Sequence, residues 1–201
     1  MTDSIALSTL PSPLQWDTLP AAWALVGGDQ LTIAAGPKTD LFIDPQGGSA
    51  ALNAPRLVFR PDGDWMLSAR VRVEFVSTYD AGAIVLYSGA RNWAKLCFEY
   101  SPQGRPTVVS VVTRGSSDDA NAFAVDGDEV ALRVARLGAA FAFHACTDGE
   151  HWQLVRYFTL GMGDAISVGF TGQSPSGSGC TATFADIRFI PERLADPRNG
   201  N

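Results

Sequence analysis

The chain has 201 residues and a formal net charge of −6, with 46% apolar and 18% charged residues. That is ample material for one buried core, and it excludes a disordered chain. The acidic balance, without any run of lysine or arginine, argues against a nucleic acid or an anionic membrane surface as partner.

Glycine and proline, 20 and 12 residues, are spread evenly, as in many short strands joined by turns. The amino-terminal residues show no basic segment leading into an apolar one, and no stretch approaches the length of a membrane-spanning helix. Together with an odd number of cysteines (Cys97, Cys146 and Cys180), this leads us to expect a cytoplasmic protein with reduced thiols.

Residues 1–13 read as a loosely held lead-in, residues 14–191 as one domain and residues 192–201 as a polar, loose tail. From Leu14 to Val26, Trp16 and Trp23 flank a turn at Pro20. Short strands are expected at Gln30 to Ala34 and Asp40 to Asp44, followed by a loop from Pro45 to Ala54. Arg56 to Arg60 is a strand, and Pro61-Asp62-Gly63-Asp64 has the residues of a tight turn. Trp65 to Phe75 alternates most cleanly, with Leu67, Ala69, Val71, Val73 and Phe75 on one side. Strands follow at Ala83 to Tyr87, Trp93 to Tyr100 and Thr107 to Arg114, and Asp118 and Asp119 fall in the loop after them. Glu129 to Arg136 and Ala139 to Thr147 are next, and Asp148-Gly149 marks a hairpin leading to Trp152 to Phe158. Ile166 to Thr171 and Thr181 to Ile190 close the domain, the last alternating Phe184, Asp186, Arg188 and Ile190. About a dozen strands and no amphipathic helix indicate an all-β sandwich or barrel, of which we expect the antiparallel sandwich.

The run NWAKLCFEYSPQGRPTVVSVVTRGSSDDAN, with FAFHACTDGEHWQLVRYF, VGFTGQSPSGSGC and TFADIRF, resembles the regulation-of-enolase proteins, a family of unknown function. The upstream NAPRLVF and DWMLSARVRVEF resemble it too. The resemblance implies a concanavalin A-like jelly roll, the fold of many lectins and glucanases, and it raises a regulatory contact with a metabolic enzyme as one role. Function does not travel with fold.

The glucanases of that fold carry E-x-D-x-x-E or E-x-D-x-E on a cleft strand. Here Glu99 stands alone, with Cys97 and Lys95 at the preceding alternate positions, so that mechanism is disfavoured. His144 and Cys146 share one side of a strand, and Cys97 could join them. Without a C-x-x-C and with only two histidines, neither a metal nor a Cys–His nucleophile is favoured, and no cofactor is implied. The Gly172 to Cys180 loop lacks the helix and lysine of a phosphate loop and reads as a rim from which Gln173 could reach a ligand.

Parity carries the remaining expectation. Leu96 and Phe98 must face a core, which turns Lys95 and Glu99 the other way. The same reasoning at Phe141 and Phe143 turns His144 away from the core. We expect Lys95, Glu99, Ser110, Arg114 and His144 to share a polar groove, with Tyr87 or Trp93 as a stacking plate and Gln173 at the rim. Such a groove would make the protein a lectin-like binding module for a small polar ligand, a sugar or sugar phosphate. A carbohydrate-active enzyme with an unfamiliar site is the alternative.

Overall fold

The computed structural model describes residues 4–161 and 165–201, and among them every regular element is a strand. In chain order these are β1 (Ser4–Ile5), β2 (Leu14–Thr18), β3 (Ala22–Val26), β4 (Gln30–Ala35), β5 (Leu41–Ile43) and β6 (Ala50–Leu52). Then come β7 (Arg56–Phe59), β8 (Trp65–Glu74), β9 (Ala81–Gly89), β10 (Asn92–Tyr100), β11 (Pro106–Arg114) and β12 (Ser116–Ala124). The last are β13 (Glu129–Leu137), β14 (Ala140–Cys146), β15 (Gln153–Thr159), β16 (Ser167–Gln173) and β17 (Cys180–Ile190).

They form an antiparallel sandwich, as the alternation predicts, of the jelly-roll type that the resemblance implies. One sheet has eight strands in the order β1-β2-β7-β16-β9-β10-β11-β12, and the other has seven, β15-β14-β13-β8-β17-β4-β3. The pair β5–β6 stands apart as a small hairpin. Leu67, Ala69, Val71 and Val73 of β8 meet Ile84, Leu86, Leu96 and Phe98 from the opposite sheet in the main core. The sheets approach closely at Gly82, where a Cβ would lie 2.9 Å from both Ala182 Cβ and Val71 Cγ1. Phe170 and Phe184 bridge the layers with ring centroids 4.9 Å apart.

Several expectations need correction. Residues 116–124 form a strand rather than a loop. β12 is the edge of the larger sheet, mostly exposed, so it carries little apolar alternation, and its acidic residues suit an edge. In β17 a bulge between Ala185 and Arg188, with Asp186 at φ 50°, reverses the parity. Phe184 and Ile187 therefore both enter the core, while Ile190 is exposed. Of the lead-in, residues 1–3 lie outside the described residues, but β1 pairs with β2 and Ile5 and Leu7 are buried in the main core. The tail is not loose either. Leu194 is buried against Ala135, Leu137 and Ala142, and the segment after it covers the outer face of the seven-stranded sheet. Trp152 reads from the sequence as the seal of the core beside its hairpin, but it lies outside the main core cluster. Its ring lies under the Arg133 guanidinium on that covered face, 4.4 Å from centroid to Cζ.

Candidate functional site

The eight-stranded sheet has a second apolar cluster on its outer face: Ala83, Val85, Trp93, Cys97, Val109 and Val111, covered by Leu41, Ile43 and Ala54. The β5–β6 hairpin lies over part of the sheet, and its Ile43 N–H donates to Ser117 Oγ of β12 over 2.9 Å. Beside the hairpin the sheet stays open. The floor there follows from register: Lys95 opposes Val111, which opposes Asp119, and Cys97 opposes Val109, which opposes Asn121. Two valines thus form an apolar strip, with Lys95 and Glu99 along the β10 side and Asp119 and Asn121 along the β12 side. At about 4.8 Å per strand, the two polar borders stand about 10 Å apart.

Loops raise the walls. Asp80, fully buried, accepts from the Val76 and Ser77 N–H groups at 2.9 and 2.7 Å and from Ser174 Oγ at 2.6 Å. It ties the β8–β9 loop to the β16–β17 loop. Between them sits Tyr79, at φ 71° and 42% exposed. Its N–H donates to Tyr100 O over 2.7 Å, and its carbonyl accepts from Gln173 Nε2 at 3.5 Å. Asp40 and Phe42 close the hairpin side, and Pro102 and Gln103 close the β10–β11 turn. The cleft between them has a volume of about 560 Å³, within the size range of small-ligand sites.

Lys95 is only 2% exposed. Its ammonium donates to Gln173 Oε1 at 2.7 Å and to Asp40 Oδ1 at 3.2 Å. Burial alone would lower its pKa, but the neighbouring carboxylates, Asp40 foremost, outweigh burial and raise it. Glu99 is half-buried, and among the described residues its carboxyl has no hydrogen-bond partner. Burial pushes it up to about 7, against the pull of Lys95, and Asp40 and Asp119 add to the rise. Between them Cys97 is pushed up to about 12, mainly by burial, so it stays a neutral thiol.

Of the expected groove residues, the structure brings together Lys95, Glu99 and Gln173. Ser110 pairs with Leu96 and faces the main core, because the partner of Lys95 is Val111. Arg114 has the same parity as Ser110. It reaches toward the Thr159 carbonyl of the other sheet. His144 turns away from Phe141 and Phe143 as expected, but β14 belongs to the seven-stranded sheet. Its Nε2 donates to Pro197 O at 2.8 Å beneath the tail. Trp93 is fully buried, with its indole N–H on Ala90 O, so it cannot serve as a stacking plate. The Tyr87 ring is already covered by the Arg56 guanidinium at 4.5 Å. Cys97 and His144 stand on different sheets, so that pairing is dissolved. Cys146 shares the His144 side of β14, but its thiol donates to Asp148 Oδ1 at 3.3 Å, and among the described residues no three metal-ligating side chains are gathered.

Sequence reasoning missed Asp40, Phe42, Tyr79 and Asn121. Asp40 and Phe42 lie in a short run whose neighbours Leu41 and Ile43 read only as strand. Nothing local shows that Tyr79 adopts positive φ. Asp119 is legible as a carboxylate, but the sequence pattern puts it in a loop.

A model of the DUF1349 family, described as proteins of unknown function, matches residues 16–192. No curated protein matches the chain in sequence. Among solved structures, a functionally unknown protein from Saccharomyces cerevisiae is similar with a TM-score of 0.81 and 24% identity, over 88% of this chain and 95% of that one. A GH43 protein from Bacillus licheniformis gives a TM-score of 0.72 at 19% identity over 89% of this chain, which spans only 37% of that protein. The alginate lyase from Klebsiella pneumoniae gives 0.52 at 12% identity, over 84% of this chain and 83% of that one. These likenesses speak to fold.

Proposed function

We propose, from the premise that the chain belongs to the DUF1349 family of proteins of unknown function, that it is a lectin-like binding module holding a small polar ligand in this cleft. The ligand class we favour is a sugar. One observation carries the reading: an open cleft with an apolar floor lies between two polar borders and under two aromatic side chains, Phe42 and Tyr79. A saccharide ring presents apolar C–H faces and a rim of hydroxyls, and this arrangement matches both. The likeness in fold to a GH43 protein and an alginate lyase agrees with a sugar-related role.

Glu99 favours a second reading, that of a carbohydrate-active enzyme. A carboxyl held near 7 and free of partners could deliver or take a proton at neutral pH. The narrower resemblance to regulation-of-enolase proteins suggests a third role, a regulatory contact with a metabolic enzyme. A cytoplasmic location belongs to the same proposal and rests on three free cysteines.

The test is a panel of oligosaccharides and sugar phosphates added to the intact protein, read by backbone amide shifts in NMR. Binding should move the amides of residues 95–99 and 119–121, and Asn121→Ala should weaken it. Product formed from the bound sugar would favour the enzyme. No shift at the cleft with any panel member would sink the reading.

A further inference from the structure

The charges in the cleft say more about its ligand than its shape does. Among the described residues lining it, Lys95 is the sole cation, and that charge is engaged. Asp40 takes it at 3.2 Å and Gln173 at 2.7 Å, both from positions that pin it against the sheet. What remains for a ligand is acceptor chemistry. Glu99 is without a partner on one border. Asp119 is exposed on the other, while its neighbour Asp118 turns to Arg156 of the opposite sheet. Gln103 and Asn121 add neutral amides. A phosphate or carboxylate is normally met by arginine or lysine donors, or by a cluster of backbone N–H groups. Here it would face Glu99 and Asp119 with no free cation among the described lining residues, and Lys38 at the rim gives its ammonium to the Ser176 carbonyl.

The width of the floor narrows the class further. Borders about 10 Å apart leave room for one six-membered ring with hydrogen bonds of about 2.8 Å on each side. Its C–H face would rest on Val109 and Val111. Tyr79 is held at the mouth in a backbone conformation that a tyrosine seldom adopts, and such strain persists only where surrounding contacts impose it. Those contacts are the Tyr100 carbonyl and the Gln173 amide. Gln173 is also the partner of Lys95, so one side chain fixes both the cation and the aromatic wall.

We infer that the cleft selects saccharide rings that carry no anionic group, neutral sugars and amino sugars, and rejects sugar phosphates and uronates. Glu99 and Asp119 are the hydroxyl and ammonium acceptors, and Tyr79 is the stacking wall. This rests on the saccharide reading above and removes sugar phosphates from it.

The experiment uses matched sets: neutral gluco-, galacto-, manno- and xylo-configured trisaccharides, with their amino, uronate and 6-phosphate counterparts where the parent sugar allows. Affinities are measured by amide-shift titration of the whole chain at about pH 8. At least one neutral or amino member should bind at the cleft, and its anionic counterparts should bind at least about tenfold more weakly. Asp119→Asn, an exposed change that leaves the fold intact, should narrow that ratio, and the double variant with Glu99→Gln should narrow it more. Tyr79→Ala should weaken the neutral ligand by about tenfold. An anionic counterpart binding as well as its neutral parent would overturn the inference and leave the saccharide reading standing. A ratio untouched by the carboxylate variants would overturn the roles given to Glu99 and Asp119. Should nothing bind at the cleft, the saccharide reading falls and takes the inference with it.

Discussion

On the outer face of the eight-stranded sheet, Lys95 is buried beside a carboxylate. On the outer face of the seven-stranded sheet, Arg133 and His144 are buried beneath residues 194–201, and among the described residues their side chains hydrogen-bond only to carbonyls. Arg133 donates to Gly200 O at 2.7 Å and keeps an unpartnered Nε. His144 donates from Nε2 to Pro197 O, which leaves Nδ1 bare. The protonation responses are opposite. Lys95 is held charged, whereas burial lowers Arg133 to about 10 and His144 to about 4. Burial favours the neutral form of a basic group, and a nearby anion is what reverses that shift. One face therefore fixes a charge at the edge of an open cleft. The other is a closed seam, sealed by the chain's own terminal segment.

The sharpest way to break this contrast is to remove the anion. Asp40→Asn keeps the shape but leaves Lys95 buried without a counter-charge. We expect a loss of about 3 kcal/mol, or a melting temperature lower by about 6–12 °C, measured by urea and thermal unfolding. An unchanged midpoint would mean that Lys95 reaches water, and the picture of an engaged cation would fail. On the other face, Leu194→Ala should cost about 2 kcal/mol by loosening the tail over Ala135 and Ala142. It should also move the His144 pKa, followed by imidazole NMR, back up from about 4 toward its ordinary value of 6.5.

Titration sharpens the comparison with signs. His144 has a folded pKa near 4 against 6.5 unfolded. The unfolded state thus binds the extra proton first, so this group's contribution is fully present above 6.5 and is lost as pH falls toward 4. The charged group facing it is Arg133, which pushes the same way. Glu99 has a folded pKa near 7 against 4.5 unfolded. Its contribution is present below 4.5 and is lost as pH rises through 7. Lys95 on its own strand, Asp40 from the hairpin and Asp119 from β12 face it. Melting temperatures at about pH 5 and pH 8 should therefore shift oppositely. Relative to the parent, Glu99→Gln should gain at the higher pH, and His144→Gln should lose less than the parent on acidification. Shifts of the same sign would dissolve the contrast.

The same two faces show what a sequence can disclose. The parity of Leu96 and Phe98 correctly turned Lys95 and Glu99 to the outer face, and that of Phe141 and Phe143 correctly turned His144 outward. Alternation reports a side of a strand. It does not report which sheet the strand joins, so His144 was assigned to the wrong groove. Nor does it report what lies on that side, and the β5–β6 hairpin buries a lysine that parity alone would leave in water. Where β10 meets β11, a register offset by one residue exchanges Ser110 for Val111. β12 and the Asp186 bulge were hidden for a related reason: an exposed edge has little apolar pattern, and a bulge interrupts it.

The smallest expected effect lies at Tyr79. Its φ of 71° is a region that costs a non-glycine residue about 1 kcal/mol or more. Glycine adopts it freely but loses more chain entropy on folding, which offsets part of the gain. The ring is 42% exposed, so its removal forfeits only part of what a fully buried tyrosine contributes, and relief of the strain offsets that loss. Tyr79→Gly should therefore leave stability within about 1 kcal/mol of the parent. The wall of the cleft, however, would be gone. If the strain is retained because the ring meets a ligand, saccharide affinity should drop while the melting temperature holds or rises. Tyr79→Asn makes the control, since asparagine tolerates the same backbone without an aromatic face. Loss of binding in both variants at parental stability would assign the strain to recognition. A clear fall in stability in both would instead make Tyr79 a support for the loop that Asp80 anchors, and the open face would then resemble the closed one more than its charges suggest.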